Sequence, residues 1–228
     1  MPPQLSERIP VYFMPGMAAS PLIFSNIFLS EDRFETHFLD WFIPEKGMSF
    51  RDYAREMCQR VVHPNPVLIG VSFGGLLVQE MGRLIKVRRI IIISSVKCTS
   101  ELPAKMLFAR YTHLHKFLPT GLVNNVELLS RYAFGERVGK RLELYEKYLS
   151  IRDKHYIDWS IDKIVNWKQA TPLSCLVHIH GEKDTVFPIQ NIKDCITVKN
   201  GTHTMIIHRY KWFNERLPAI ILEDRSCI

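Results

Sequence analysis

This chain of 228 residues has no long apolar run, no internal repeat and no low-complexity tract. No stretch approaches the roughly 18 apolar residues that a membrane-crossing helix needs, so no membrane span is expected. The opening "MPPQLSERIP" lacks the basic-then-apolar pattern of a secretory signal. Cysteine is sparse. Cys58, Cys98, Cys175, Cys195 and Cys227 are odd in number, and no two sit at zinc-ligand spacing. This argues against a disulfide framework and for a reducing compartment, so a cytoplasmic location is the expectation. No linker-like composition divides the chain, and one domain spanning 1–228 is expected.

A block of like charge is also missing. The formal charge is +7, yet the basic residues are dispersed among acids. Such a pattern reads as a solvated surface and not as a nucleic-acid patch, so no nucleic-acid partner is expected. The hydrophobic content of 46% is ordinary for a globular chain with one core.

What is present is alternation. Short apolar runs read as strands at "VYFMPG" (11–16), "THFLDWF" (36–42), "VLIGVS" (67–72), "RIIIISS" (89–95), "CLVHIHG" (175–181) and "CITVKNG" (195–201). Four consecutive isoleucines suit a strand buried on both faces. Helical patterns lie between them: "SFRDYAREMCQRV", opened by the cap residue Ser49, then "FGGLLVQEMGRLI", and "HTMIIHRYKWFNERL" after the last strand. Strand–helix alternation predicts a parallel sheet covered by helices on both faces. One segment departs from it. From about 97 to 170, "KMLFARYTHLHKFL", "NNVELLSRYAF", "RVGKRLELYEKYLS" and "DWSIDKIVNW" all show helical spacing. A helical lid or cap inserted at one crossover is expected, its aromatic residues either lining an apolar pocket or packing the insertion onto the sheet.

Within "VLIGVSFGGLLVQEM" (67–81), Gly70-Val71-Ser72-Phe73-Gly74 fits G-x-S-x-G. The bare pattern arises easily by chance and fits an ordinary strand-to-helix turn. Its setting between a strand and a helix is what the nucleophile turn requires, because the sharp bend lifts the serine above the sheet edge. A serine hydroxyl needs a histidine base, and the histidine needs a carboxylate. Downstream, "HIHGEKDTVFPI" places Asp184 just past the fifth strand, with Glu182 as the competing carboxylate. Asp184 also suits a plain turn or cap residue. Pro188 suggests the start of a helix. "VKNGTHTMII" places His203 just past the sixth strand, nineteen residues after Asp184, at the head of the last helix. His178 and His180 alternate on one strand like a metal pair, but no third ligand is evident and no metal is expected. His113 and His115 fall in the insertion and His208 on the last helix, while His37 and His63 lie near strand starts, at the opposite edge. An oxyanion hole needs two backbone N–H groups. Phe73, directly after the serine, and Met17, in the "FMPGMAAS" loop, are the candidates.

On "GVSFGG", "HGEKDTVFP" and "NGTH", taken in that order, the chain resembles the α/β-hydrolase superfamily over nearly its whole length. It looks most like the small helical-capped esterases, thioesterases and carbon–carbon bond hydrolases. The resemblance implies an α/β-hydrolase fold of about six mostly parallel strands. It also implies a triad of Ser72, Asp184 and His203, and no cofactor. The partner implied is a small-molecule acyl substrate, an ester or thioester with an apolar acyl part. A carbon–carbon bond hydrolase and a slow ligand-binding relative stay as alternatives, and the oligomeric state is open. Two departures stand out. The family often has His-Gly where this chain has Pro15-Gly16, so one local hydrogen bond is expected to be missing. Only ten residues precede the first strand, so the two antiparallel strands that usually begin the fold are expected to be absent.

Overall fold

The computed structural model describes residues 8–117, 148–174 and 176–223. The predicted helices at "NNVELLSRYAF" and over most of "RVGKRLELYEKYLS" lie outside these residues, as do Cys175 and Cys227.

The apolar runs become strands β1 (Ile9–Met14), β2 (Phe34–Phe38), β3 (Val67–Val71), β4 (Arg89–Ile93), β5 (Leu176–Gly181) and β6 (Ile196–Val198). They form one sheet in the order β2-β1-β3-β4-β5-β6, and every pairing is parallel. Side chains alternate across the sheet. Tyr12, Met14, Leu68, Ile90 and Ile92 face one core; Val11, Phe13, Ile69, Ile91 and Ile93 face the other. The four isoleucines of β4 are thus shared between two cores, which is why the run shows no polar alternation. Each, fully buried, contributes roughly 1.5–3 kcal/mol.

Helices α1 (Phe50–Cys58) and α2 (Phe73–Met81) cover the first core, joined by α4 (Lys154–Asn166) from the insertion. The Ser49 hydroxyl caps α1 by accepting from Asp52 N at 3.1 Å, as its position predicts. The second core is covered by the last helix, α6 (Tyr210–Leu222), through Phe213, Leu217, Ile220 and Ile221. The buried Arg89 at the start of β4 donates to the carbonyls of Ile220 and Glu223, closing the end of α6. Among the described residues, the insertion also carries α3 (Ala104–Thr112), ended by His113 in a left-handed conformation.

Three boundaries differ from expectation. Strand β2 starts earlier and stops at Phe38, because its one neighbour among the described residues is β1 and the pairing ends at Phe13–Phe38. No α-helix joins β5 to β6; after Pro188 comes only a short 3-10 turn at Ile189–Asn191. The last helical pattern is broken. Helix α5 (Met205–His208) is separated from α6 at Arg209, and His203 stands in the turn before it. No helix among the described residues is long and apolar enough to cross a membrane.

Candidate active site

The order of the strands places the site. The chain passes from β1 outward to β2 and then returns to β3 on the other side, so a crevice opens beyond the carboxyl ends of β1 and β3. The loop after β1 and the turn after β3 both end there.

Ser72 links β3 to α2 with φ 53° and ψ −118°. Positive φ is strained for a residue with a Cβ. The strain is held from several sides. Ser72 N donates to Ile93 O at 2.9 Å, while Ser72 O accepts from Gly75 N at 2.9 Å and from the Ser95 hydroxyl at 2.8 Å. The flanking glycines make the bend sterically possible. A Cβ on Gly70 would lie 2.3 Å from Gly74 O, and one on Gly74 would lie 2.3 Å from Pro15 O. The serine is therefore the apex of a turn that admits no side chain on either flank.

His203 Nε2 lies 3.0 Å from Ser72 Oγ, and His203 Nδ1 lies 2.9 Å from Asp184 Oδ2. The three residues expected from the sequence form one hydrogen-bonded chain. Asp184 is both a turn residue and the partner of the histidine. Its Oδ1 accepts from Val186 N at 2.8 Å and Phe187 N at 2.9 Å, and this fixes Oδ2 toward His203. The Asp184 side chain is fully buried, whereas His203 is 13% exposed. Glu182, the competing carboxylate, is exposed and accepts from Asn200 N at 2.7 Å. It thereby stitches the acid loop to the histidine loop, helped by Lys183 N donating to Gly201 O at 2.7 Å.

Behind the acid lies a histidine pair. His180 Nε2 is 2.8 Å from Phe187 O, so it carries the proton and donates. His180 Nδ1 then accepts from His178 Nε2 at 3.1 Å. Burial lowers the pKa of both imidazoles, that of His178 well below its ordinary value. Both imidazoles are held neutral, and three of their four nitrogens are engaged, two with one another and one with a carbonyl, which suits a buried support better than a metal site. Of the remaining histidines, His115 bonds Ala109 O and Asp162, and none of His113, His115 or His208 joins the chain at Ser72. His37 is mid-strand on β2, level with Tyr12 and not near a strand start.

Phe73 is the first residue of α2, so its N–H has no intrahelical acceptor and stands at the positive end of the helix. Met17 follows Gly16, where an added Cβ would lie 3.6 Å from the Ser72 Cβ. Two residues that sequence reasoning missed fix this loop. Trp41 donates its indole N–H to Gly16 O at 2.8 Å, and the Tyr156 hydroxyl accepts from Ala18 N at 3.2 Å. Burial holds the Tyr156 phenol well above its ordinary pKa, so it stays protonated. The insertion supports the loop a second time. Ser20 N donates to Tyr148 O at 2.7 Å and Ser150 N to Ala18 O at 2.9 Å. Trp41 stands next to last in the second apolar run, at the carboxyl edge, and that position was a usable signal; nothing in the sequence marks Tyr156.

Directly after the serine, Phe73 enters the first core and joins an aromatic cluster there. Phe73 stacks on Trp41 at 5.0 Å and on Phe50 at 5.3 Å between ring centroids, with Trp159 of α4 edge-on at 6.0 Å. A strained serine, a bonded histidine and a buried carboxylate form an arrangement suited to acyl transfer.

No protein-family model matches the sequence, and no curated protein matches it. Solved structures do match in three dimensions. An esterase from Exiguobacterium antarcticum is similar with a TM-score of 0.68 at 16% identity, covering 94% of this chain and 92% of that one. A hydrolase from Pseudomonas aeruginosa PA01 gives a TM-score of 0.68 at 12% identity, covering 96% and 91%. A bromoperoxidase from Bacillus anthracis gives 0.62 at 16% identity, covering 95% and 92%. At these identities the likeness shows the fold alone: an α/β-hydrolase fold, as the sequence led us to expect.

Proposed function

We propose that this protein is a serine hydrolase that cleaves a carboxylic ester or thioester of an apolar acyl group. The observation that carries the reading is the unbroken chain Ser72 Oγ–His203 Nε2 at 3.0 Å and His203 Nδ1–Asp184 Oδ2 at 2.9 Å. His203 takes the hydroxyl proton as Ser72 attacks the carbonyl carbon. Asp184 holds the imidazole in the tautomer whose Nε2 accepts that proton, and stabilises the imidazolium that results. The backbone N–H groups of Phe73 and Met17 receive the developing oxyanion. His203 then returns the proton to the leaving alcohol or thiol. An acyl-serine remains, which a water molecule, activated by the same imidazole, hydrolyses to the free acid.

In this reading the aromatic cluster that Phe73 forms with Trp41, Phe50 and Trp159 favours an apolar acyl chain over a charged one. In this reading α3 and α4 belong to a lid over that chain, with Trp159 and Tyr156 on its inner side. A fluorophosphonate probe tests the assignment directly. Native protein is expected to label at Ser72, and Ser72→Ala is expected to abolish labelling; unchanged labelling in that variant overturns it. A panel of p-nitrophenyl esters and acyl-CoA thioesters of increasing chain length then separates esterase from thioesterase.

A further inference from the structure

Away from this site, three potential ligands converge at the edge strand. On β2, Glu35 and His37 are two residues apart and so project from the same face. His63 reaches them from the connection between α1 and β3. His37 Nε2 lies 3.1 Å and His63 Nε2 3.3 Å from the same oxygen, Glu35 Oε1. One ligand atom from each of the three lies within 4.8 Å of the others. Two ligands bound tetrahedrally to zinc at about 2.0–2.1 Å stand about 3.3–3.4 Å apart, close to the spacings here.

Three further observations point to an ion. His37 Nε2 is buried without a hydrogen-bond partner, although Glu35 Oε1 is only 3.1 Å away, so the contact is not aligned as a hydrogen bond. The outer contacts are those of a ligand-orienting shell. His63 Nδ1 is bonded to the Tyr12 hydroxyl at 2.6 Å, and that hydroxyl also accepts from Val62 N at 3.2 Å. The His37 ring is stacked on Tyr12 at 4.6 Å, which fixes its plane. The second oxygen of Glu35 faces Arg8 at 3.5 Å, leaving Oε1 to the two imidazoles. Each of the three side chains is about one-third exposed, so an ion has a way in.

We propose that Glu35, His37 and His63 bind a divalent late-transition-metal ion of zinc chemistry, with solvent completing the coordination. Two imidazoles and one carboxylate select such an ion over calcium or magnesium, which take oxygen ligands. The ion clips the edge strand to the segment between α1 and β3, and so closes a loop that the chain otherwise closes at an entropic cost. The site stands level with the middle of the sheet, through the pairing of His37 with Tyr12 and of Tyr12 with Leu68, whereas Ser72 lies beyond its carboxyl end. It is therefore independent of the proposed hydrolysis.

The test titrates metal-free full-length protein with cobalt(II), read by its visible ligand-field bands, and with zinc, read by calorimetry and by the unfolding midpoint. One zinc per chain and a rise in the midpoint are expected. His63→Ala and Glu35→Gln are expected to remove both, with far-ultraviolet circular dichroism checking that each variant is folded. Tyr12→Phe, which keeps the ring and deletes only the hydroxyl, is expected to weaken binding roughly 10- to 100-fold. His113→Ala is expected to bind as the native chain does. Absence of binding in native protein overturns the proposal, as does binding that survives in both His63→Ala and Glu35→Gln.

Discussion

Trp41 and Gly16 are joined by a 2.8 Å hydrogen bond from the indole N–H to the carbonyl oxygen. The bond ties the chain leaving β2 to the loop leaving β1. Trp41→Phe deletes the donor while keeping a ring to stack on Phe73. In the proposed mechanism the Met17 N–H, one residue on from Gly16, then loses the support that holds its loop. Loss of a whole oxyanion donor costs roughly 2.7–4 kcal/mol, so a loosened one is expected to lower kcat about 10-fold or more with little change in KM. Steady-state kinetics on an activated ester checks this. A change confined to KM, or none at all, refutes the role given to Trp41.

The two carboxylates of the acid loop separate cleanly. In Asp184→Asn, Oδ1 still accepts from Val186 and Phe187, but the amide presents N–H groups to His203 Nδ1. The imidazole must then accept there and carry its proton on Nε2, where it cannot take one from Ser72. A loss of roughly 10⁴-fold in kcat is expected, as in other serine triads. Glu182→Gln keeps an acceptor for Asn200 N and is expected to change kcat less than about twofold. Equal losses in the two variants would remove Asp184 from the triad.

The hydrogen-bonded set of Ser72, His203 and Asp184 was legible in the sequence because each member follows a strand at the same edge of a parallel sheet. The G-x-S-x-G pattern, strand period and chain order together pointed to Ser72, Asp184 and His203. The fold was legible for the same reason, and the four isoleucines of β4 read correctly as doubly buried. What escaped depends on contacts distant in sequence. Tyr156 reaches Ala18 across 138 positions. The His178–His180 pair became a neutral support only once its acceptor, Phe187 O, was known. The helix expected after Pro188 failed because proline favours a first helical turn without guaranteeing a second.

The turn itself predicts a stability effect. Gly74→Ala sets a methyl group where Met14 O and Pro15 O stand 2.6 and 2.3 Å away. Backbone on both sides cannot yield as a flexible side chain does. Destabilisation of about 1–3 kcal/mol or more is expected, together with loss of turnover as Ser72 moves. Urea unfolding measures the first and ester hydrolysis the second. A variant as stable and as active as the native chain would contradict the close approach of α2 to β1.

Acid sensitivity follows from the histidine pair. An imidazole in the unfolded chain titrates near about pH 6.5. Burial lowers both His178 and His180 in the folded chain, His178 the more strongly, and the proximity of the two rings adds to the effect on His178. Below about pH 6.5 the unfolded chain therefore binds protons that the folded chain refuses. Stability from this pair is complete above that value and falls as pH drops toward the folded-state values. The slope is up to about 1.4 kcal/mol per pH unit for each histidine. His178→Leu removes one of the two titrations and the like-charge penalty between the rings. Its unfolding free energy is expected to fall less steeply between about pH 7 and pH 5. Urea titrations across that range decide the matter: parallel curves for native and variant protein would show that His178 is not the group resisting protonation.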